Sequence, residues 1–250
     1  AGWTDVYRHL HAFAATVPPN DARIEASHVT YAGASGAIRA YLARPKDAAK
    51  LPAVVVIHEN RGLTPHIEDV ARRAAVEGFV ALAPDMLSPF GGAPADEDSA
   101  RQMFAKVDPA TALADLVAGV SYLNGRADAS GRIGCIGFCW GGSMVNRLAV
   151  NLPGLAAAVP FYGSQPAAAD VPKIKAKLLL HYAGNDDRVN AGIAAYEAAL
   201  KAAGVSYTTH VYAGTQHAFH NDTAGARYNK EAAELAWRRT IEFLNTTLKP

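Results

Sequence analysis

Two cysteines in 250 residues, Cys135 and Cys139, are too few for a disulfide framework. With Cys135 inside a strand and Cys139 just past its end, a bridge between them would fold the strand back on itself, so both read as free thiols. An excess of charge is lacking too. The 24 Lys+Arg and 23 Asp+Glu leave a formal +1, and they are scattered, with no patch able to neutralise several phosphates at once. Nucleic acid is not an expected partner. The longest apolar runs, such as 53–57 and 155–159, are far short of the roughly 20 residues that cross a bilayer, and no membrane span is expected. There is no internal repeat, low-complexity tract or dividing linker. The chain starts at Ala1 without an initiator Met or a basic-then-apolar leader. The expected compartment is the cytoplasm or, if a leader was removed before Ala1, the periplasm.

What remains is apolar and regularly patterned. Half the residues are hydrophobic and 19% are charged, a composition that excludes a disordered or collagen-like chain and suits one large α/β core. Residues 3–17 place Val6, Leu10, Phe13 and Val17 at helical spacing before Pro18-Pro19, so 1–22 are expected to form a helical extension. Segments 24–31 and 37–43 read as a hairpin of half-buried strands. From residue 51 apolar strands (53–57, 79–83, 132–137, 155–161, 177–182, 206–212) alternate with amphipathic helices (67–77, 109–123, 141–150, 191–203, 228–248). That alternation predicts a mostly parallel central sheet with helices on both faces, preceded by the antiparallel hairpin, across a single domain of residues 23–250. Two loops rich in turn formers, 85–97 and 214–227, flank the segment that carries chemistry.

That segment is Gly137-Phe138-Cys139-Trp140-Gly141-Gly142, after a strand and before a helix. Small residues two positions either side let strand and helix approach closely around a strained central residue, whose side chain is displayed at the carboxyl end of the sheet. A helix N-terminus beside Cys139 is expected to favour the thiolate. The bland alternative is an ordinary buried cysteine, which is the reading given to Cys135. A nucleophile at Cys139 needs a base late in the chain and an acid between them. His217, in the loop after strand 206–212, is the expected base, with His220 its nearest competitor. Asp186 and Asp187 both lie just past a strand end. Asp186 is preferred because Asp187 or Asn190 suits a helix cap. The backbone N–H groups of Trp140 and Asn60 are the expected oxyanion donors. No metal or other cofactor is expected: no His-Glu-x-x-His spacing occurs around His58, Glu59 and His66, and no phosphate-binding loop is present.

With His58-Glu59, the Cys139 turn, Asp186 and His217-Ala218-Phe219 in place, the chain resembles the dienelactone hydrolase (carboxymethylenebutenolidase) family of α/β hydrolases over residues 24–248. The resemblance implies an α/β-hydrolase fold and hydrolysis of an ester or lactone by a Cys139–His217–Asp186 triad through a thioester acyl-enzyme. It also implies that Glu59 holds the resting thiol until substrate displaces it. From sequence alone, Glu59 is equally an exposed loop carboxylate paired with Arg61. The two substrate-binding arginines of well-known members are absent, since 86–90 carry none and Asn221 stands four residues beyond His217. An uncharged or bulkier ester or lactone is therefore as good a candidate as a small anionic one. Arg61, Phe90, Tyr162 and Phe219 are expected around the substrate, with Trp140 beside them. The competing readings are a general esterase of uncharged esters, a thiol redox protein in which Cys135 resolves an oxidised Cys139, and a binding protein that has lost activity. The expected assembly is a monomer or small homo-oligomer.

Overall fold

A computed structural model describes residues 16–46 and 49–249. Its strands form one sheet of eight in the order β1-β2-β4-β3-β5-β6-β7-β8. The hairpin β1 (Ile24–Gly33) and β2 (Gly36–Pro45) joins β4 (Val80–Pro84) antiparallel. All pairings from β4 through β3 (Leu51–Ile57), β5 (Ala129–Phe138), β6 (Ala157–Phe161) and β7 (Lys177–Asn185) to β8 (Tyr207–Gln216) are parallel. The expected α/β architecture is present. The expected helix over 3–17 lies outside the described residues except for Thr16 and Val17, which are not helical.

The strands at the centre are apolar on both faces because helices cover both. Ala53, Val55 and Ile57 pack on one side with Leu116, Leu148 and Leu200; Val54 and Val56 pack on the other with Ile67, Val70, Trp237 and Ile241. Period-two alternation thus divides one continuous run between two cores. Each fully buried Val, Ile or Leu side chain contributes about 1.5–3 kcal/mol of transfer free energy. α1 (Pro65–Val76) and α7 (Lys230–Leu248) cover the second face; α3 (Pro109–Asn124), α4 (Trp140–Asn151) and α6 (Ile193–Ala203) cover the first. Thr64 and Asp108 cap α1 and α3 by accepting from Ile67 N and Thr111 N, and a proline follows each cap at the first helical position.

Three boundaries differ from the sequence expectation in ways that bear on the site. Residues 97–104 form a helix, α2 (Glu97–Phe104), started by Asp96 accepting from Ser99 N; only Ala100 on it is buried, so no apolar stripe announced it. The helix expected over 191–203 is α6 preceded by a separate turn, α5 (Asp187–Asn190). β7 and β8 each run farther than expected, to Asn185 and Gln216, so that Asp186 and His217 are the first residues beyond adjacent strand ends.

Candidate active site

The turn between β5 and α4 is fixed by backbone crowding. A Cβ at Gly137 would collide with the carbonyl of Gly141, and one at Gly141 with the carbonyls of Ile57 and His58, so glycine is what lets β5, α4 and the end of β3 meet. Cys139 sits between them at φ 59° and ψ −119°, a conformation that costs a non-glycine residue about 1–3 kcal/mol. Its own N–H is tied to Phe161 O at 3.0 Å, which fixes the backbone of the turn against the end of β6.

From that sulfur a hydrogen-bonded chain runs through the imidazole to a carboxylate. His217 Nε2 lies 3.1 Å from Cys139 Sγ, and His217 Nδ1 lies 2.6 Å from Asp186 Oδ2. Since Asp186 accepts, Nδ1 carries the hydrogen and Nε2 faces the thiol as an acceptor. Asp187 begins α5, while the Asp186 side chain is spent on the imidazole and makes no cap bond. His220, the competing base, is buried between Phe138, Phe161 and Trp237, away from solvent. Cys135 is wholly buried in β5, as expected.

The helix N-terminus favours the thiolate, as expected, but its influence is outweighed. Burial pushes the Cys139 thiol up to about 11, and the negative charge of Glu59 adds to the rise, while the Trp140 N–H and the positive charge of Arg227 oppose it. At neutral pH the site holds a neutral thiol facing His217 Nε2.

Glu59 does not pair with Arg61. Its Oε1 accepts from Asn221 Nδ2 at 2.8 Å, whereas Arg61 lies 3.7 Å from the exposed Glu97 of α2. Arg61, Glu59 and Asn221 line the same tight cavity of about 10 Å³. Asn60 is half-buried on this turn. His58, one residue before Glu59, donates from Nδ1 to Glu59 O at 2.6 Å and accepts from Met86 N at 3.0 Å, and burial lowers its pKa, so it is held neutral. Its ring stacks on Trp140 with centroids 5.7 Å apart, and Phe104 of α2 meets Trp140 edge-on at 4.7 Å. The residue after Cys139 is therefore oriented by the turn after β3 and by α2.

The remaining substrate-lining expectations fare unevenly. Tyr162, at φ 37°, places its ring 5.0 Å from that of His217. Phe219 packs behind it at 5.3 Å. Both are fully buried, so they back the imidazole and offer no free surface to a ligand. Burial first, then Glu59 and Cys139, raise the Tyr162 hydroxyl well above its ordinary value. Phe90 is 40% exposed and lines a cavity of about 150 Å³ with Met86 and Val107 that includes none of Cys139, His217 or Asp186. The contacts of Asn221 with Glu59 and of His58 with Met86 and Trp140 have no signal in the sequence, because they join residues far apart along the chain.

One group of potential ligand atoms occurs among the described residues: His66, Asp69 and Asp222, within 4.8 Å of one another. Both carboxylates already accept from Arg73, which supplies the positive charge there.

A family model of dienelactone hydrolases matches residues 38–248. The chain belongs to the dienelactone hydrolase family. As a member of that family it is a hydrolase of carboxylic esters or lactones. Among relatives, the "Putative carboxymethylenebutenolidase" of Saccharolobus solfataricus is 32% identical over 85% of this chain and 95% of its own. The "Putative Dienelactone Hydrolase" of Klebsiella pneumoniae superposes with a TM-score of 0.79 at 30% identity, covering 88% of this chain and 97% of that one. A dienelactone hydrolase-like promiscuous phosphotriesterase from metagenomic libraries shares the fold, with a TM-score of 0.80 at 24% identity over 90% of this chain and 99% of its own. The dienelactone hydrolase fold thus accounts for nearly all the described chain. No helix among the described residues is long and apolar enough to cross a membrane.

Proposed function

We propose that this hydrolase cleaves its ester or lactone with Cys139 as the nucleophile, His217 as the base and Asp186 as the group that orients the imidazole. The observation that carries the reading is the unbroken contact from sulfur to imidazole to carboxylate, 3.1 Å and then 2.6 Å. As the sulfur attacks the acyl carbon, its proton passes to His217 Nε2 and the carbonyl oxygen gains the charge. The backbone N–H of Trp140, which already faces the sulfur, and that of Asn60 are the donors for that oxygen. Collapse expels the alkoxide, which takes the proton from His217, and leaves a thioester on Cys139. Water then gives a proton to His217, attacks the thioester and releases the acid, with the thiol restored. Because the resting sulfur is protonated, the proton moves as substrate engages, and Glu59 opposes premature ionisation.

The substrate is a small ester or lactone, and an uncharged one fits best. Asn221 is neutral, Glu59 and Asp186 place negative charge beside the sulfur, and Arg61 is turned toward Glu97. The test is hydrolysis of p-nitrophenyl acetate and of an enol-lactone with and without a carboxylate. Cys139→Ala and His217→Ala are expected to abolish turnover with both substrate classes, and Asp186→Asn to lower it about 10²–10⁴-fold while Asp187→Asn retains it. Turnover surviving in Cys139→Ala would reject the nucleophile, and a strong preference for the carboxylate-bearing lactone would reject the substrate class.

A further inference from the structure

Little holds α2 to the rest of the fold. Of its eight residues only Ala100 is buried, and no strand or other helix packs along it. A segment with so few buried apolar contacts opens at far lower cost than the core. The chain on either side of it is fixed. Upstream, the buried Asp85 accepts from Leu63 N at 3.3 Å, Leu87 N at 3.0 Å and Ala93 N at 2.8 Å. Downstream, Asp108 caps α3 and accepts from Thr111 N at 3.1 Å and Thr111 Oγ1 at 2.7 Å. Residues 94–106 form a strap between these two posts.

The strap touches the catalytic side of the molecule at both ends of α2. At its start, Glu97 lines the small cavity shared with Glu59, Arg61 and Asn221, and its carboxylate stands 3.7 Å from Arg61. At its finish, Phe104 meets the Trp140 ring edge-on at 4.7 Å and the His58 ring at 6.1 Å. An exposed ion pair holds weakly, so the Phe104 ring is the firmer contact. These contacts fall on the turn after β3 and on the residue after Cys139, the two segments that carry the oxyanion donors Asn60 and Trp140 in the reading above.

We propose that α2 is a hinged cover on the oxyanion side of the catalytic site: residues 94–106 swing out together as Phe104 leaves Trp140, and this opening admits an ester too bulky to reach the half-buried Cys139 beneath the closed cover. The turn beneath stays in place as the cover moves, because Gly137 and Gly141 fix it by backbone packing in which α2 has no part.

This inference rests on the catalytic reading of Cys139, but its test reads access to the sulfur and not turnover. Full-length protein is alkylated at one pH with iodoacetamide and, separately, with the much larger iodoacetamidofluorescein, and modification of Cys139 is followed by peptide mass spectrometry. The readout is the ratio of the large reagent's rate to the small one's. Ala100→Glu puts a charge where α2 has its one buried residue, and is expected to raise that ratio roughly tenfold with the urea midpoint unchanged. Glu97→Lys, which sets like charges at Arg61 and keeps Phe104, is expected to raise it about threefold. An unchanged ratio in both variants, or an equal rise in both rates, overturns the proposal, since the second would mean a more reactive sulfur and not a more open path. Turnover surviving in Cys139→Ala with the ratios as expected would strike the nucleophile reading instead.

Discussion

The two turns that meet at the sulfur are held by different physics. Around Cys139 the constraint is steric: three backbone segments lie so close that Gly137 and Gly141 cannot carry a Cβ. Around His217 the constraint is electrostatic and distant in sequence, with Asn221 on Glu59 and Asp222 on Arg73 and His66. A steric turn is written within a few residues and tolerates almost no change. A loop pinned by charge pairs has many partners and yields by degrees. The nucleophile side is therefore rigid at any pH, and the base side is tied to the ionisation of its anchors.

The sharpest way to break the comparison is at Gly141. A methyl group there meets the carbonyls of Ile57 and His58, which cannot retreat without pulling β3 from α4. Gly141→Ala is expected to cost more than about 3 kcal/mol in urea unfolding, or to leave insoluble protein. An unfolding midpoint near that of the parent would show that the turn is looser than its geometry.

On the other side, Asp222→Asn keeps the shape and removes the charge. The Asp222 carboxyl is held far below the usual carboxylate range, first by its bond to His66 and then by Arg73. A carboxyl depressed on folding contributes stability above its unfolded pKa, and that contribution drains away as pH falls toward the folded value. The parent is expected to exceed the variant by about 1–2 kcal/mol at pH 6, a figure discounted for partial exposure, with the gap closing below about pH 4. A gap that stays constant with pH would mean that shape, not charge, anchors the loop.

The smallest effect is expected at Ala218, which follows His217 at φ 75°. Ala218→Gly removes the crowding between Cβ and carbonyl and adds freedom to the unfolded chain, so the two nearly cancel. The melting temperature is expected to move by no more than about 3 °C, and a large fall would show that the methyl group packs in a way that outweighs its strain.

These two kinds of constraint also explain what could be read from the sequence. The parallel sheet, the Cys139 turn, His217 and Asp186 were legible because each is signalled locally: an apolar run of the right length, glycines at fixed offsets, a polar residue just past a strand. The Asn221 bond to Glu59 spans 162 positions and joins two ordinary polar residues, with no local signal. Helix α2 escaped for the opposite reason, since it is polar nearly throughout and only the Asp96-x-x-Ser99 cap marks its start. In the sequence Phe219 and Tyr162 suit a pocket wall as well as a core position, because aromatic residues beside a site serve either role. Their burial came from packing of β6, β8 and α7 around them, which no single segment encodes.

The central claim is that the sulfur of Cys139 takes the acyl group. Protein quenched in acid within the first turnovers of p-nitrophenyl acetate and analysed by peptide mass spectrometry is expected to carry one acetyl on Cys139, labile to hydroxylamine and absent from Cys139→Ala. Acetyl found on another residue, with Cys139→Ala turning over at the parent rate, would contradict the account.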